Sequence, residues 1–213
     1  MKYAIFAGVV SLGLLVGSAQ AQEGYRNEAT VSAFGVFQQN TTGNGINQSG
    51  EYRPGVLATY RFYVTDHQGL EFDYGFARFN QQFAGVGGTP LNLTGLGVTG
   101  TSLSVPADTH EGTLSYIYRF SATHRLRPFV SAGTGVLVFN PQAFAFGSGA
   151  GDTYVTPDFV YSAGADFAVS QRVSLRLGYR GHVFEAPGFG IDAIKTGSVA
   201  HLAEPFAGLS FHF

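Results

Sequence analysis

Behind an apolar N-terminus, apolar and polar residues alternate along most of the chain with a period of two. Such alternation is typical of a strand with one apolar and one polar face. Between clusters of Gly, Pro and Asn it covers eight segments, each about as long as the 9 to 11 residues of a strand that crosses a bilayer. The predicted strands are Glu28–Gln38, Tyr52–Val64, Leu70–Gln81, Thr109–Phe120, Leu126–Phe139, Asp158–Val169, Arg172–Glu185 and Val199–Phe213.

The connections between these segments alternate in length, which is a second and independent pattern. Outer-membrane barrels join their strands by short periplasmic turns and longer extracellular loops. The alternation therefore predicts an all-β fold, an eight-stranded antiparallel up-and-down transmembrane β-barrel with both termini in the periplasm. The long connections are 39–51, 82–108, 140–157 and 186–198, and the short turns are 65–69, 121–125 and 170–171.

The two faces of each strand differ in size as well as polarity. On the third strand Phe72, Tyr74 and Phe76 share one face, while Glu71 and Asp73 lie on the other. The interior of an eight-stranded barrel is only wide enough for its own side chains, and these rings would overfill it. We therefore expect the aromatic face to contact lipid. The rival fold is a soluble lipocalin-like carrier, in which the apolar face would point inward and the charged face toward water.

Composition supports the membrane interpretation. Charged residues make up 12% of the chain, where about 25% is usual in soluble domains. Yet no window of 18 apolar residues follows the N-terminal run, so alternating strands explain the apolar character better than a membrane helix. The formal net charge of −2 shows no basic patch, and no nucleic-acid partner is expected.

The N-terminus has the pattern of a secretory signal peptide. Lys2 precedes a short apolar run, and small residues occupy the positions before Ala21. We expect cleavage between Ala21 and Gln22, which divides the chain into a signal peptide, 1–21, and one barrel domain, 22–213. The chain has no Cys, so disulfides and thiolate zinc sites play no part.

The first candidate site consists of the charged side chains at the alternate strand positions that form the polar face. We expect a structural salt-bridge network, because charges in a confined lumen persist when paired; lining of an ion path is the alternative. Centring the first short turn on His67 places Arg61 opposite Asp73, and centring the third on Gln171 places Asp166 opposite Arg176. The candidates are Arg61, Glu71, Asp73, Glu111, Arg119, Asp166, Arg176, Arg180 and Glu204, and His212 shares their parity.

The chain ends in an alternating strand that finishes on Phe213, with Leu209 and Phe211 on the same face. This resembles the C-terminal signal that the outer-membrane assembly machinery recognises. Together with the leader and the eight segments, it makes the chain similar to the small outer-membrane barrel family that includes OmpX and the transmembrane domain of OmpA. The resemblance implies a location in the bacterial outer membrane, among its lipids and lipopolysaccharide.

Histidines and loops are the remaining candidates for function. His67 and His124 fall in short turns, while His110, His182 and His201 fall near the extracellular strand ends, where we expect ordinary rim histidines rather than a catalytic group. No HExxH motif, metal-ligand spacing or cofactor motif is found. For the longest loop, 82–108, we favour a hairpin that extends the barrel above the membrane. A loop that binds a surface partner is the alternative.

We therefore expect a monomeric, non-enzymatic barrel without an open pore, which contributes to the envelope or binds partners through its loops. An outer-membrane enzyme acting on lipid or lipopolysaccharide and a narrow pore are the alternatives.

Overall fold

The computed structural model describes residues 26–91, 100–120, 125–142 and 152–213. The expected signal peptide and its cleavage site lie outside these residues and stay predictions. The strands are β1 (Asn27–Gln38), β2 (Thr41–Gly43), β3 (Ile46–Gly50), β4 (Arg53–Tyr63), β5 (Gln68–Gly85), β6 (Ser102–Arg119), β7 (Leu126–Pro141), β8 (Tyr154–Ala168), β9 (Val173–Glu185) and β10 (Val199–His212).

Eight of these strands form a closed antiparallel barrel. Following the wall, the order is β5, β4, β1, β10, β9, β8, β7 and β6, and pairing of β6 with β5 closes the cylinder. Closure leaves no unpaired edge in the bilayer, where a bare backbone N–H or C=O would be costly. The predicted fold and all eight predicted segments are confirmed.

The residues that are exposed on the outside of the barrel are the aromatic ones, as expected if the rings face lipid. Phe72 is 47% exposed and Tyr116 is 50% exposed on the outer wall, whereas Arg61 and Glu28 on the inner wall are 0% exposed. The apolar wall therefore faces outward. Among the described residues, no helix is long and apolar enough to cross a membrane.

The alternation reverses near the extracellular end of the barrel. Outward positions on β5 are apolar up to Phe76 and then become Arg78, Asn80 and Gln82. On the same strand the inward residue Phe79 is only 1% exposed. The upper part of β5 is thus polar outside and apolar inside, as in a soluble protein, which indicates that it stands above the lipid.

An apolar core fills this upper part of the barrel, which the sequence pattern did not predict. It packs side chains from β1, β5, β6, β7, β9 and β10 and from the connection after β9. Its largest buried members are Phe79, Phe83, Phe129, Phe139, Phe189, Ile117, Leu137, Leu202 and Ile194, of which Phe129 and Ile117 lie lower, near the periplasmic turns.

Strands β5 and β6 continue above the bilayer as a hairpin. They remain paired up to Ala84 and Ser102, and Leu91 forms a further bridge with Gly100. The favoured interpretation of 82–108 as a hairpin extension is therefore confirmed for its described part, while 92–99 lie outside the described residues. Strand β3, inside the predicted loop 39–51, pairs with the upper part of β5 and widens this extension.

The connection after β9 folds inward over the end of the barrel. Phe189 and Ile194 are 1% and 0% exposed, and the ring of Phe189 packs edge-on against Phe83 with 6.2 Å between ring centroids. Ser198 Oγ donates a hydrogen bond of 3.1 Å to the carbonyl of Thr42 on β2. The connection thus covers both the apolar core and the free edge of β2.

One predicted strand register is wrong and another is confirmed. Arg61 lies opposite Glu71, two residues from the predicted Asp73, whereas Asp166 lies opposite Arg176 as predicted. The first turn closes around Asp66 because the Thr65 hydroxyl accepts hydrogen bonds from the backbone N–H groups of residues 67 and 68. Strand β5 therefore starts at Gln68, earlier than the hydrophobic pattern indicates.

Candidate functional site

The lumen holds two groups of buried charges at different heights. The lower cluster, nearer the periplasmic turns, comprises Glu28, Arg61, Glu71, Arg119, Asp166 and Arg176, joined by His212. The upper cluster comprises Asp73, Glu111, Asp158, Arg180, His182 and Glu204. All nine charged residues proposed from the sequence lie on the inner wall and are buried.

Arg61 is the centre of the lower cluster. Its Nη1 lies 2.6 Å from Glu28 Oε2 and its Nε lies 2.8 Å from Glu71 Oε2. Its Nη2 donates a hydrogen bond of 2.6 Å to the hydroxyl of Thr30. The guanidinium thus joins β1, β4 and β5 through charge-assisted hydrogen bonds, which are the stronger kind.

Two further arginines extend the lower cluster around the barrel. Arg176 lies 3.0 Å from Glu71 Oε2 and 2.9 Å from Asp166 Oδ2, while Arg119 bonds to Glu28 Oε1. Each carboxylate of the cluster therefore contacts an arginine. Three arginines balance three carboxylates, which is the condition for buried charges to be tolerated.

Aromatic rings and small hydroxyls complete the lower cluster. The Arg176 guanidinium stacks 3.4 Å from the ring centroid of Phe129, and Arg119 stacks 3.9 Å from that of Tyr63. Ser131 donates a hydrogen bond of 3.1 Å to Glu71 Oε1. With this serine on β7, the cluster links side chains from all eight long strands.

In the upper cluster, carboxylates outnumber cations. Arg180 Nη1 lies 2.7 Å from Glu111 Oε1 and 3.4 Å from Glu204 Oε2. His182 Nδ1 lies 2.6 Å from Asp158 Oδ2, and its Nε2 faces both glutamates. One arginine thus stands among three carboxylates and one imidazole. The fourth carboxylate, Asp73, accepts hydrogen bonds from Thr59 and Thr113.

The histidines do not gather at one rim. His182 is 0% exposed and points into the lumen, so its assignment as a rim histidine is wrong. His110 and His201 lie on the outer wall. His110 Nδ1 forms a hydrogen bond with the Tyr74 hydroxyl, and His201 Nε2 forms one with the Tyr161 hydroxyl. His67 Nδ1 contacts the backbone carbonyl of residue 119 at a periplasmic turn.

Three important lumen residues were missed from the candidate set, although the sequence contained the signal that identifies them. Glu28 shares its parity with Thr30, Asp158 with Asp166, and His182 with Arg180. A strand that keeps its side chains on alternate faces must place each of these pairs on one wall. Extending the alternation to every titratable residue of β1, β8 and β9 would have included them.

The residues proposed as the C-terminal assembly signal lie on the lipid side of β10. Leu209, Phe211 and Phe213 are 48%, 49% and 43% exposed, and they alternate with the inward residues Ser210 and His212. Their rings and side chains therefore form part of the outer apolar wall near the periplasmic end. Their recognition by assembly machinery stays a prediction.

The extracellular rim carries its own polar contacts. Arg78 and Asp108 form an ion pair across β5 and β6, with the Arg78 side chain 64% exposed. Glu51 accepts hydrogen bonds from Arg53 and Asn80, of 2.8 and 3.0 Å, and the bond from Arg53 contributes most to holding the pKa of the Glu51 carboxyl below its usual value. These contacts fix the strand ends above the bilayer.

Comparisons with known proteins agree with this architecture. A sequence profile described as "Outer membrane protein beta-barrel domain" matches residues 8–199. Neisserial surface protein A, NspA, is similar in structure with a TM-score of 0.57 and 15% identity, over 90% of this chain and 100% of that one. OprG from Pseudomonas aeruginosa gives 0.55 and 11%, over 88% and 95%. No curated protein matches the sequence.

Proposed function

Because the chain belongs to the family of outer membrane protein beta-barrel domains, we propose that it acts as a non-conducting, non-enzymatic barrel of the bacterial outer membrane. It contributes to the integrity of the envelope and presents its extracellular end to lipopolysaccharide and to partners at the cell surface. The filled lumen is the observation that carries this proposal.

Two successive layers of side chains support the absence of an open pore. At the level of the bilayer, the lower and upper clusters occupy the cross-section with buried charges that contact one another. Above them, Phe79 and Phe139 pack edge-on with 6.4 Å between their ring centroids, and Phe139 also contacts Phe184. An ion would have to break paired charges and then cross an apolar layer. Eight-stranded barrels are narrow enough for side chains to fill them in this way.

The raised rim supports a role at the cell surface. Beyond Phe76, the outward side chains of β5 are polar, and β5 and β6 stay paired for several residues above that level. Rigid strands therefore carry the connecting loops out of the lipid into the layer of lipopolysaccharide sugars. Loops on a rigid scaffold commonly carry binding.

Conductance in planar lipid bilayers tests the closed lumen. Protein purified in detergent, and shown to be folded by its heat-modifiable mobility on a gel, is added to the bilayer, with a large porin as the control for insertion. We expect no single-channel steps from this protein under conditions in which the porin conducts. Reproducible steps of uniform size would contradict the proposal.

The mass of lipid A tests the absence of enzymatic activity. The candidate histidines of the described chain lie on different walls, with His182 inside and His110 and His201 outside. We therefore expect the mass spectrum of lipid A to be unchanged when the protein is expressed. Loss or gain of an acyl chain would instead favour an enzyme acting on lipopolysaccharide.

A further inference from the structure

We propose that the upper cluster contains a binding site for one divalent transition-metal cation, with Glu111, His182 and Glu204 as its ligands. The three residues come from β6, β9 and β10, and all are buried. One carboxylate oxygen from each glutamate and one imidazole nitrogen lie within 4.8 Å of one another. This site is additional to the structural role of the lumen described above.

The distances from the imidazole nitrogen to the two carboxylate oxygens fit a small cation. His182 Nε2 lies 3.4 Å from Glu111 Oε2 and 3.3 Å from Glu204 Oε2. Zinc binds nitrogen and oxygen ligands at about 2.0 to 2.2 Å with tetrahedral geometry, which separates neighbouring ligands by about 3.3 to 3.6 Å. Calcium, at about 2.3 to 2.6 Å, requires more ligands and a wider cage.

The imidazole is oriented as a metal-binding histidine usually is. Asp158 Oδ2 lies 2.6 Å from Nδ1 and holds the ring with that nitrogen as the donor. A carboxylate behind the ring in this way fixes the tautomer and leaves Nε2 as the ligand atom. His182 Nε2 is fully buried and points between the two glutamates, whose oxygens lie near it without a well-formed hydrogen bond. This buried nitrogen, aimed at two carboxylate oxygens, is the feature that points to a cation.

The charge of the cluster supports the same assignment. Arg180 bonds to Glu111 through Oε1, which leaves Oε2 of that carboxylate directed at His182. With neutral His182, the single positive charge of Arg180 stands against the carboxylates of Glu111, Asp158 and Glu204. Buried charges are tolerated when paired or when they coordinate a metal. A divalent cation at this point neutralises the two negative charges that remain among these groups, while the fourth carboxylate of the cluster, Asp73, is held separately by Thr59 and Thr113.

The surrounding wall holds the ligands in place and leaves space beside them. Gly75 packs so closely against the Glu111 carboxylate that any Cβ would overlap it. A small cavity adjoins both glutamates and is lined on its other side by Thr109, Phe34 and Leu202. A water molecule in this cavity provides the fourth ligand of a tetrahedral site with three protein ligands.

A proton on His182 is the competing occupant. An imidazolium placed between the two glutamates would satisfy the same geometry without a metal, and it would give no saturable metal binding. Measured metal binding therefore separates the two interpretations, independently of whether the barrel conducts ions or acts on lipid.

The test uses untagged protein unfolded in urea with EDTA and refolded in detergent without chelator. Zinc is titrated by calorimetry, and cobalt is titrated by visible absorption. We expect one equivalent of either metal per chain and the intense bands of tetrahedral cobalt. Folded wild-type protein that binds no metal, or that shows only the weak bands of octahedral cobalt, would overturn the proposal.

Matched variants locate the site. We expect H182Q and E204Q to abolish saturable binding, and Asp158→Asn to weaken it by about 10- to 100-fold, the usual effect of losing a carboxylate behind a ligating histidine. His201→Gln removes a histidine on the outer wall, away from the cluster, and should bind as wild type.

Equal binding by H182Q and wild type would overturn the assignment, as would loss of binding in His201→Gln. If H182Q fails to refold, the wild-type cobalt spectrum and the Asp158→Asn affinity decide the question.

Discussion

Replacing Arg61 by methionine removes the central charge of the lower cluster while keeping a side chain of similar length. Arg61 is 0% exposed and bonds to Glu28, Glu71 and Thr30 at 2.6 to 2.8 Å. The change therefore leaves two buried carboxylates short of one partner each. It creates no large cavity, so the loss of stability reports mainly on the charges.

The size of the loss follows from what remains around the two carboxylates. Removal of one partner from a buried ion pair costs about 3 to 5 kcal/mol, because the other charge stays buried and uncompensated. Here Glu28 keeps Arg119 and His212, and Glu71 keeps Arg176. We therefore expect the free energy of unfolding to fall by about 3 kcal/mol, at the lower end of that range.

Urea titration of the protein in lipid vesicles, followed by gel mobility and circular dichroism, measures the change. Arg78→Met is the matched control, because Arg78 also forms an ion pair with an aspartate but is exposed above the bilayer, and it should unfold close to wild type. An R61M midpoint equal to that of Arg78→Met would refute the structural role of the network.

A double-mutant cycle tests the observed register. Coupling between neighbouring charged residues is usually about 0.5 to 3 kcal/mol. We expect coupling in this range for Arg61 with Glu71, and much smaller coupling for Arg61 with Asp73. The reverse order would contradict the pairing of β4 with β5.

Three further changes test other parts of the fold. Gly75→Ala should lower the folded fraction on a heat-modifiable gel because a Cβ there overlaps a buried carboxylate, whereas Gly112→Ala, with nothing within 4 Å, should fold as wild type; equal yields would contradict the close packing. Phe189→Ala should speed trypsin cleavage after Lys195, which is already exposed, since the ring anchors this connection in the apolar core and its loss lets the backbone enter the protease; unchanged digestion would count against that anchoring. Leu114→Arg should lower the free energy of unfolding by about 2 to 4 kcal/mol in vesicles, as for a charge on the lipid side near the bilayer centre; an unchanged value would argue against lipid contact.

The inner and outer walls could be predicted from the sequence because a strand has a strict period of two. Glu71 and Arg176 were assigned inward from parity alone, and both are buried. The same rule places His182 on the inner wall. It was missed because its position near a strand end suggested that it lies at the extracellular rim. The alternation shows which wall a residue lies on, but not its height along the barrel axis. The contact between His182 and Glu111 depends on that height, which is set by the stagger of the strands.

Two features lay beyond the hydrophobic pattern. The register of β4 against β5 depends on the hydroxyl of Thr65, a local turn contact that shifts every pair by two residues. The reversal above the bilayer keeps the period of two, so Phe79 and Phe83 look like lipid-facing rings until the opposite positions are compared. In the sequence, the change from Phe76 to Arg78 on the outer wall shows where β5 leaves the lipid.

Tryptophan fluorescence with brominated lipids tests the central claim most directly, because the chain contains no Trp and a single substitution reports one site. Tyr116 lies on the outer wall and Phe129 on the inner wall, on the paired strands β6 and β7. We expect bromolipids to quench Tyr116→Trp strongly, and we expect neither bromolipids nor aqueous iodide to quench Phe129→Trp strongly. Strong lipid quenching of Phe129→Trp, with Tyr116→Trp quenched from water, would contradict that claim.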